Sequence, residues 1–181
     1  MTSIEQTAVV AVHKCASLKP AETCLVITDT ETEEIGNALY EAAKVTAKDC
    51  ALMKIEPTGE NGREPPAYVA YAMKKFDVVF CPTKYSLTHT RATKNAVKAE
   101  SRVITLPGIN RDMFTRAVNI DYKQLQRNAD SLYKQMNKAK QITVKSRNGT
   151  NLIFDVKHAP EKDDGDYSKT GSGNLPAGEG F

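Results

Sequence analysis

Residues 77–108 read DVVFCPTKYSLTHTRATKNAVKAESRVITLPG, and this stretch decides the fold. Asp77-Val78-Val79-Phe80-Cys81 is rich in β-branched and aromatic residues, too short for a helix, and stopped by Pro82. A loop of hydroxyls and one lysine follows (Thr83, Lys84, Tyr85, Ser86), then a predicted helix over about 88–99. Ser101 and Arg102 turn the chain into a second apolar run, Val103-Ile104-Thr105-Leu106, closed by Pro107-Gly108. A strand, a crossover helix and another strand form the minimal parallel unit of an α/β sheet.

Ligands of such sheets sit outside the carboxyl ends of the strands, where helix amino termini point. That position carries Thr83, Lys84, Ser86, Thr88 and His89, the candidate binding residues. Two readings stand side by side. Ser86 and Thr88 suit helix capping, because their oxygens can accept from unpaired first-turn amides, and Lys84 and His89 suit a solvated surface. The same set suits a carboxylate or phosphate. Along the helix, Ala92, Ala96 and Ala99 offer a small-residue face for close packing, while Arg91, Lys94 and Lys98 form a solvated basic stripe.

Working outward, the same alternation recurs upstream. Residues 3–17 predict a helix, with Ile4, Ala8, Ala11, Val12 and Cys15 at three- and four-residue spacing and Thr2 with Glu5 at capping-box spacing. Strands are expected at 24–28 and 51–55, with a helix over 33–47 between them. The turn at 29–34 is rich in carboxylates and has no glycine, which argues against a nicotinamide cofactor there. Residues 56–64 read as an exposed loop, and Pro65-Pro66 suits the first turn of another helix. The fold class is therefore α/β, a mostly parallel sheet of strands near 24–28, 51–55, 77–81 and 103–106, with helices on both faces. This amino-terminal domain is assigned to residues 1–118.

From 119 to 140 the pattern changes. Val118, Tyr122, Leu125, Ala129, Leu132, Met136 and Ala139 alternate four- and three-residue steps, which predicts an amphipathic connecting helix; a homodimer seam is the alternative. Residues 141–181 leave the α/β regime. Two alternating runs around Asn148-Gly149 predict a β-hairpin, which cannot bury its own face and so reads as the start of a second domain. The polar stretch 158–181 is expected to be poorly packed.

Composition narrows the function classes. The 181 residues carry 40% hydrophobic and 26% charged side chains with a net charge of +3, too little to demand nucleic acid. Cys15, Cys24, Cys50 and Cys81 are scattered in apolar runs without a paired spacing, as expected of reduced thiols in the cytoplasm. No signal peptide or membrane span is expected. His13, His89 and His158 never fall at the spacing of a helical metal site.

Ser86-Leu87-Thr88-His89-Thr90, Leu106-Pro107-Gly108-Ile109, Glu64-Pro65-Pro66 and Asn174-Leu175-Pro176-Ala177-Gly178-Glu179 together resemble the aminopeptidase T family of leucyl-type metallopeptidases. The resemblance spans the chain. It implies a hydrolase that releases amino-terminal residues from peptide substrates, using a two-metal site of zinc, cobalt or a similar divalent ion in a carboxyl-terminal domain. It maps one metal ligand onto Glu179, and it departs at Gly180, where the family has valine. The other ligands of the family lie downstream, so the resemblance implies the amino-terminal part of a truncated protease, inactive as this chain. Two alternatives belong to other classes. One is a non-catalytic α/β module binding a small carboxylate or phosphate at 83–89. The other is a ring-opening dihydroxypyridine dioxygenase, since those enzymes resemble the same two-domain family.

Overall fold

A computed structural model describes residues 3–180. The expected α/β alternation is present. Helix α1 (Ile4–Val10) runs on into a π-helical turn, Ala11–Cys15, and leads to β1 (Thr23–Asp29). Then come α2 (Glu33–Lys44), β2 (Asp49–Ile55), α3 (Ala67–Met73), β3 (Val78–Cys81), α4 (Arg91–Lys98), β4 (Arg102–Thr105) and α5 (Arg111–Ala117). Helix α6 (Tyr122–Met136) precedes a hairpin, β5 (Gln141–Lys145) with β6 (Asn151–Asp155), and three short strands: β7 (Lys162–Asp163), β8 (Gly171–Asn174) and β9 (Glu179–Gly180). No helix among the described residues is long and apolar enough to cross a membrane.

Among the described residues the main sheet has five parallel strands in the order β2-β1-β3-β4-β8. Burial on both faces explains why β1, β3 and β4 read as continuous apolar runs. On one face Leu25, Ile27, Val79, Cys81 and Val103 pack with Val69 and Met73 of α3 and Ala92 and Ala96 of α4. The alternate residues face α2. There an added β-carbon on Gly36 would stand 2.5 Å from the Thr28 β-carbon, so only glycine admits this approach of helix to strand.

Three local expectations are corrected. At α1 the capping box is formed by Ser3 and Gln6, one residue later than the spacing of Thr2 and Glu5 suggests; Thr2 itself lies outside the described residues. Helix α4 starts at Arg91 with Thr90 as its cap, its hydroxyl accepting from the Thr93 amide, so neither Ser86 nor Thr88 caps it. The third concerns 158–181. Far from being poorly packed, Gly171–Asn174 extends the sheet beside β4, Leu175 is buried, and the Leu175 amide donates to the Thr105 carbonyl at 2.9 Å.

The chain divides into two compact units, one comprising residues up to Ile120 with Gly165–Ala177, the other Asp121–Asp164 with the residues from Gly178 on. Within the second unit β7 pairs antiparallel with β9, and Leu132 and Met136 of α6 pack on Gly180. The hairpin pairs Ile142 with Phe154 and Val144 with Leu152 about the Asn148-Gly149 turn, where Gly149 takes a φ of 95°.

Candidate functional site

The strand order reverses between β1 and β3: the chain first steps outward from β1 to β2, then crosses back to β3. A crevice for ligands is expected at such a switch. Here the chain's own side chains bridge it. Asp29, buried at the end of β1, accepts from the Lys84 amide at 2.6 Å, the Glu31 amide at 3.0 Å and the Thr32 hydroxyl at 3.1 Å. Thr32 also lies 2.5 Å from the Pro82 carbonyl, where its single proton can serve either acceptor.

The open space lies one strand over, beyond β3 and β4. A cavity of about 530 Å³ is lined by Asn61, Gly62, Lys84, Ser86, His89, Pro107 and Gly108. Lys84, Ser86 and His89 of the expected set therefore meet there. Thr83 is buried instead, and its hydroxyl donates to the Tyr85 carbonyl at 2.8 Å. Thr88 stands behind the wall: it accepts from Ser86 at 2.9 Å, donates toward Asn174 at 2.9 Å and lies 2.8 Å from the Thr105 hydroxyl. Thr105 also donates to Asn174 Oδ1. These hydroxyls fix the orientation of Ser86 from the ends of β4 and β8.

Residues 56–64 do more than meet solvent. Asn61 Oδ1 accepts from the Ser86 amide at 2.8 Å, and the Gly62 amide donates to the Ser86 carbonyl at 2.8 Å. Glu64 accepts from the Arg91 amide at 2.6 Å and the Ala92 amide at 3.1 Å. The anion expected at the start of α4 is thus a carboxylate of the chain itself. Burial alone would raise the pKa of Glu64, but the two amides and the neighbouring Arg91 outweigh it and hold the carboxyl below its ordinary range. Sequence reasoning missed Asn61, Gly62, Pro107 and Gly108 as lining residues. The signals were present: Asn61-Gly62 is a turn dipeptide, and Pro107-Gly108 ends a strand at the carboxyl edge.

Chemically, the lining sets the Lys84 ammonium and the hydrogen-bonding groups of Asn61, Ser86 and His89 amid apolar surface. It carries Lys84 and His89 and, among the described residues, no carboxylate. Lys84 Nζ is 3.5 Å from Glu31 and 5.9 Å from the centre of the Tyr85 ring, a loose exposed pairing that leaves the ammonium free to meet another anion. Glu179 lies in β9 of the second unit, exposed, its backbone paired with Asp163, and its metal role rests on the peptidase resemblance. Among the described residues no three histidine, cysteine, aspartate or glutamate side chains converge as a metal-binding group.

An α/β unit with a small cavity at its strand ends is what the geometry defines. Comparison places it more narrowly. The family described as NicX, 2,5-dihydroxypyridine 5,6-dioxygenase, matches residues 6–174, and the chain belongs to that family. No curated protein matches the chain. Among solved structures, 2,5-dihydroxypyridine dioxygenase from Pseudomonas putida KT2440 shares the fold, with a TM-score of 0.72 at 16% identity. The match covers 98% of this chain, which spans about 55% of the length of that structure.

This overturns the aminopeptidase reading, and with it the metallopeptidase, protease and hydrolase assignments. Several residues of the motifs behind the resemblance do scaffold work. Glu64 caps α4, Leu106 is buried, Gly108 turns the chain at a φ of 61°, and Asn174 anchors the hydroxyls behind Ser86. None of these jobs depends on cleaving a peptide, so they report shared architecture and not shared chemistry.

Proposed function

We propose that this chain is the α/β part of a dioxygenase acting on a hydroxylated pyridine, and that the cavity beside Lys84, Ser86 and His89 holds the ring or its opened product. The family match over residues 6–174 carries this reading. The reaction in the family's name joins both atoms of O2 to ring positions 5 and 6 and breaks the bond between them. Position 5, which bears a hydroxyl, becomes a carboxyl group, and position 6 becomes a formyl group on nitrogen. Substrate and product therefore offer hydroxyl, carbonyl and carboxylate oxygens. Lys84 suits the anionic oxygen, and Ser86 and His89 suit neutral acceptors, in a cavity within the size range of small-ligand sites.

A divalent metal is expected of this chemistry. The described residues do not converge as a set to hold one, so no residue of this chain is assigned to metal and no step is routed through it. The chain's own contribution is binding and orientation. Asp29 holds the Lys84 backbone, Asn61 and Gly62 hold that of Ser86, and Thr88 aims the Ser86 hydroxyl.

The test is an oxygen-electrode assay of the full-length protein supplied with iron(II) and 2,5-dihydroxypyridine, with a leucyl chromogenic substrate run in parallel. Uptake of O2 in step with loss of the ring absorbance is expected. Leucine release without oxygen uptake would overturn the proposal.

A further inference from the structure

Cys24 and Cys50 are direct partners in the parallel register of β1 and β2, so both thiols leave the sheet on the same face. Cys24 is fully buried. Cys50 is half-buried near the start of β2, which is the edge strand of the sheet, and its sulfur lies 3.9 Å from the Tyr40 carbonyl. Neighbouring strands stand about 4.8 Å apart, within the Cα separation that a disulfide spans. We propose that Cys24 and Cys50 form a redox modification site, a dithiol that hydrogen peroxide converts into an intramolecular disulfide.

The roles of the two sulfurs differ. A hydrogen bond with Cys24 holds the Cys50 thiol below its ordinary range, while the same bond, together with burial, raises Cys24. Cys50 is also the one that solvent reaches, so it is the nucleophile. Its thiolate attacks one peroxide oxygen: an S–O bond forms, the O–O bond breaks, and hydroxide leaves to be protonated to water. The Cys24 sulfur then attacks the sulfenic sulfur of Cys50. The S–S bond forms, the S–O bond breaks, and the departing hydroxide takes the Cys24 proton as a second water. Two thiols are oxidised and one peroxide is reduced. Cys81 offers a contrast: burial pushes its thiol up to about 12, and it has no such partner in register. Because the Cβ atoms must approach more closely than the sheet spacing sets, the bridge is strained and readily reduced.

The experiment treats the full chain with equimolar hydrogen peroxide and follows intact mass, titratable thiols and linked peptides. Expected are a mass loss of about 2 Da, the two hydrogens removed, and a single link joining Cys24 to Cys50, both reversed by dithiothreitol. In Cys24→Val the resolving sulfur is gone, so the mass should rise by about 16 Da and dimedone should label Cys50. Cys81→Ser should behave as the parent chain, and it keeps the test valid if Cys24→Val folds poorly. A bridge involving Cys15 or Cys81, a link between chains, or oxygen addition to Cys50 without a bridge in the parent protein would overturn the proposal.

Discussion

The Asp29 carboxylate and the Lys84 amide are joined by a hydrogen bond of 2.6 Å that ties the end of β1 to the loop after β3. Asp29 is 1% exposed, and its carboxyl oxygens are satisfied by this bond and by those from Glu31 and Thr32. Asp29→Ala would strand two amides, and it should lower the unfolding free energy by about 3 kcal/mol in a urea titration. Asp29→Asn keeps an acceptor and should lose about half as much. Equal stability of all three proteins would show that the bridge carries no load.

Glu64 gives a pH signature. Its folded pKa is depressed, so its stabilising bonds to Arg91 and Ala92 are complete above the ordinary glutamate range and are lost as pH falls through the lowered value. Protection factors of the Arg91 and Ala92 amides should fall over that acidic window. Glu64→Gln should flatten the profile, and Glu64→Ala should weaken α4 by about 1 kcal/mol as the loss of a helix cap does. A profile unchanged in Glu64→Gln would assign the effect to another group.

How much of this was legible in the sequence depended on the range of the interactions. Val78, Val79, Phe80 and Val103, Ile104, Thr105 announced buried strands because local composition and burial on both faces agree. Strand β8 was illegible: Gly171-Ser172-Gly173-Asn174 has no strand-like side chains and is held by backbone pairing to β4, a partner almost seventy residues away. The site was half legible. Lys84, Ser86 and His89 follow from the rule for strand ends, whereas Thr88 turned out to serve Asn174 and Thr105, and Glu64 filled the helix start. Short motifs could not separate peptidase from dioxygenase, because many of the residues they contain, Glu64, Leu106 and Asn174 among them, build the scaffold.

The pairing of β8 predicts protection where composition predicts none. The amides of Leu175, bonded to Thr105, and Tyr167, bonded to Cys15, should exchange slowly, at rates near those of β4. Asn174→Ala removes the acceptor shared by Thr88 and Thr105 and should cost about 2 kcal/mol. Fast exchange throughout 171–175 in the parent chain would detach β8 from the sheet.

Recognition of a hydroxypyridine by the cavity beside Lys84 is open to chemical-shift mapping of the isotope-labelled chain titrated with 2,5-dihydroxypyridine. Progressive shifts centred on Gly62, Lys84, Ser86, His89 and Gly108 are expected, with affinity weakened about tenfold in Lys84→Ala, equivalent to roughly 1.4 kcal/mol. Shifts that cluster elsewhere, or none at these amides while the ligand binds, would contradict it.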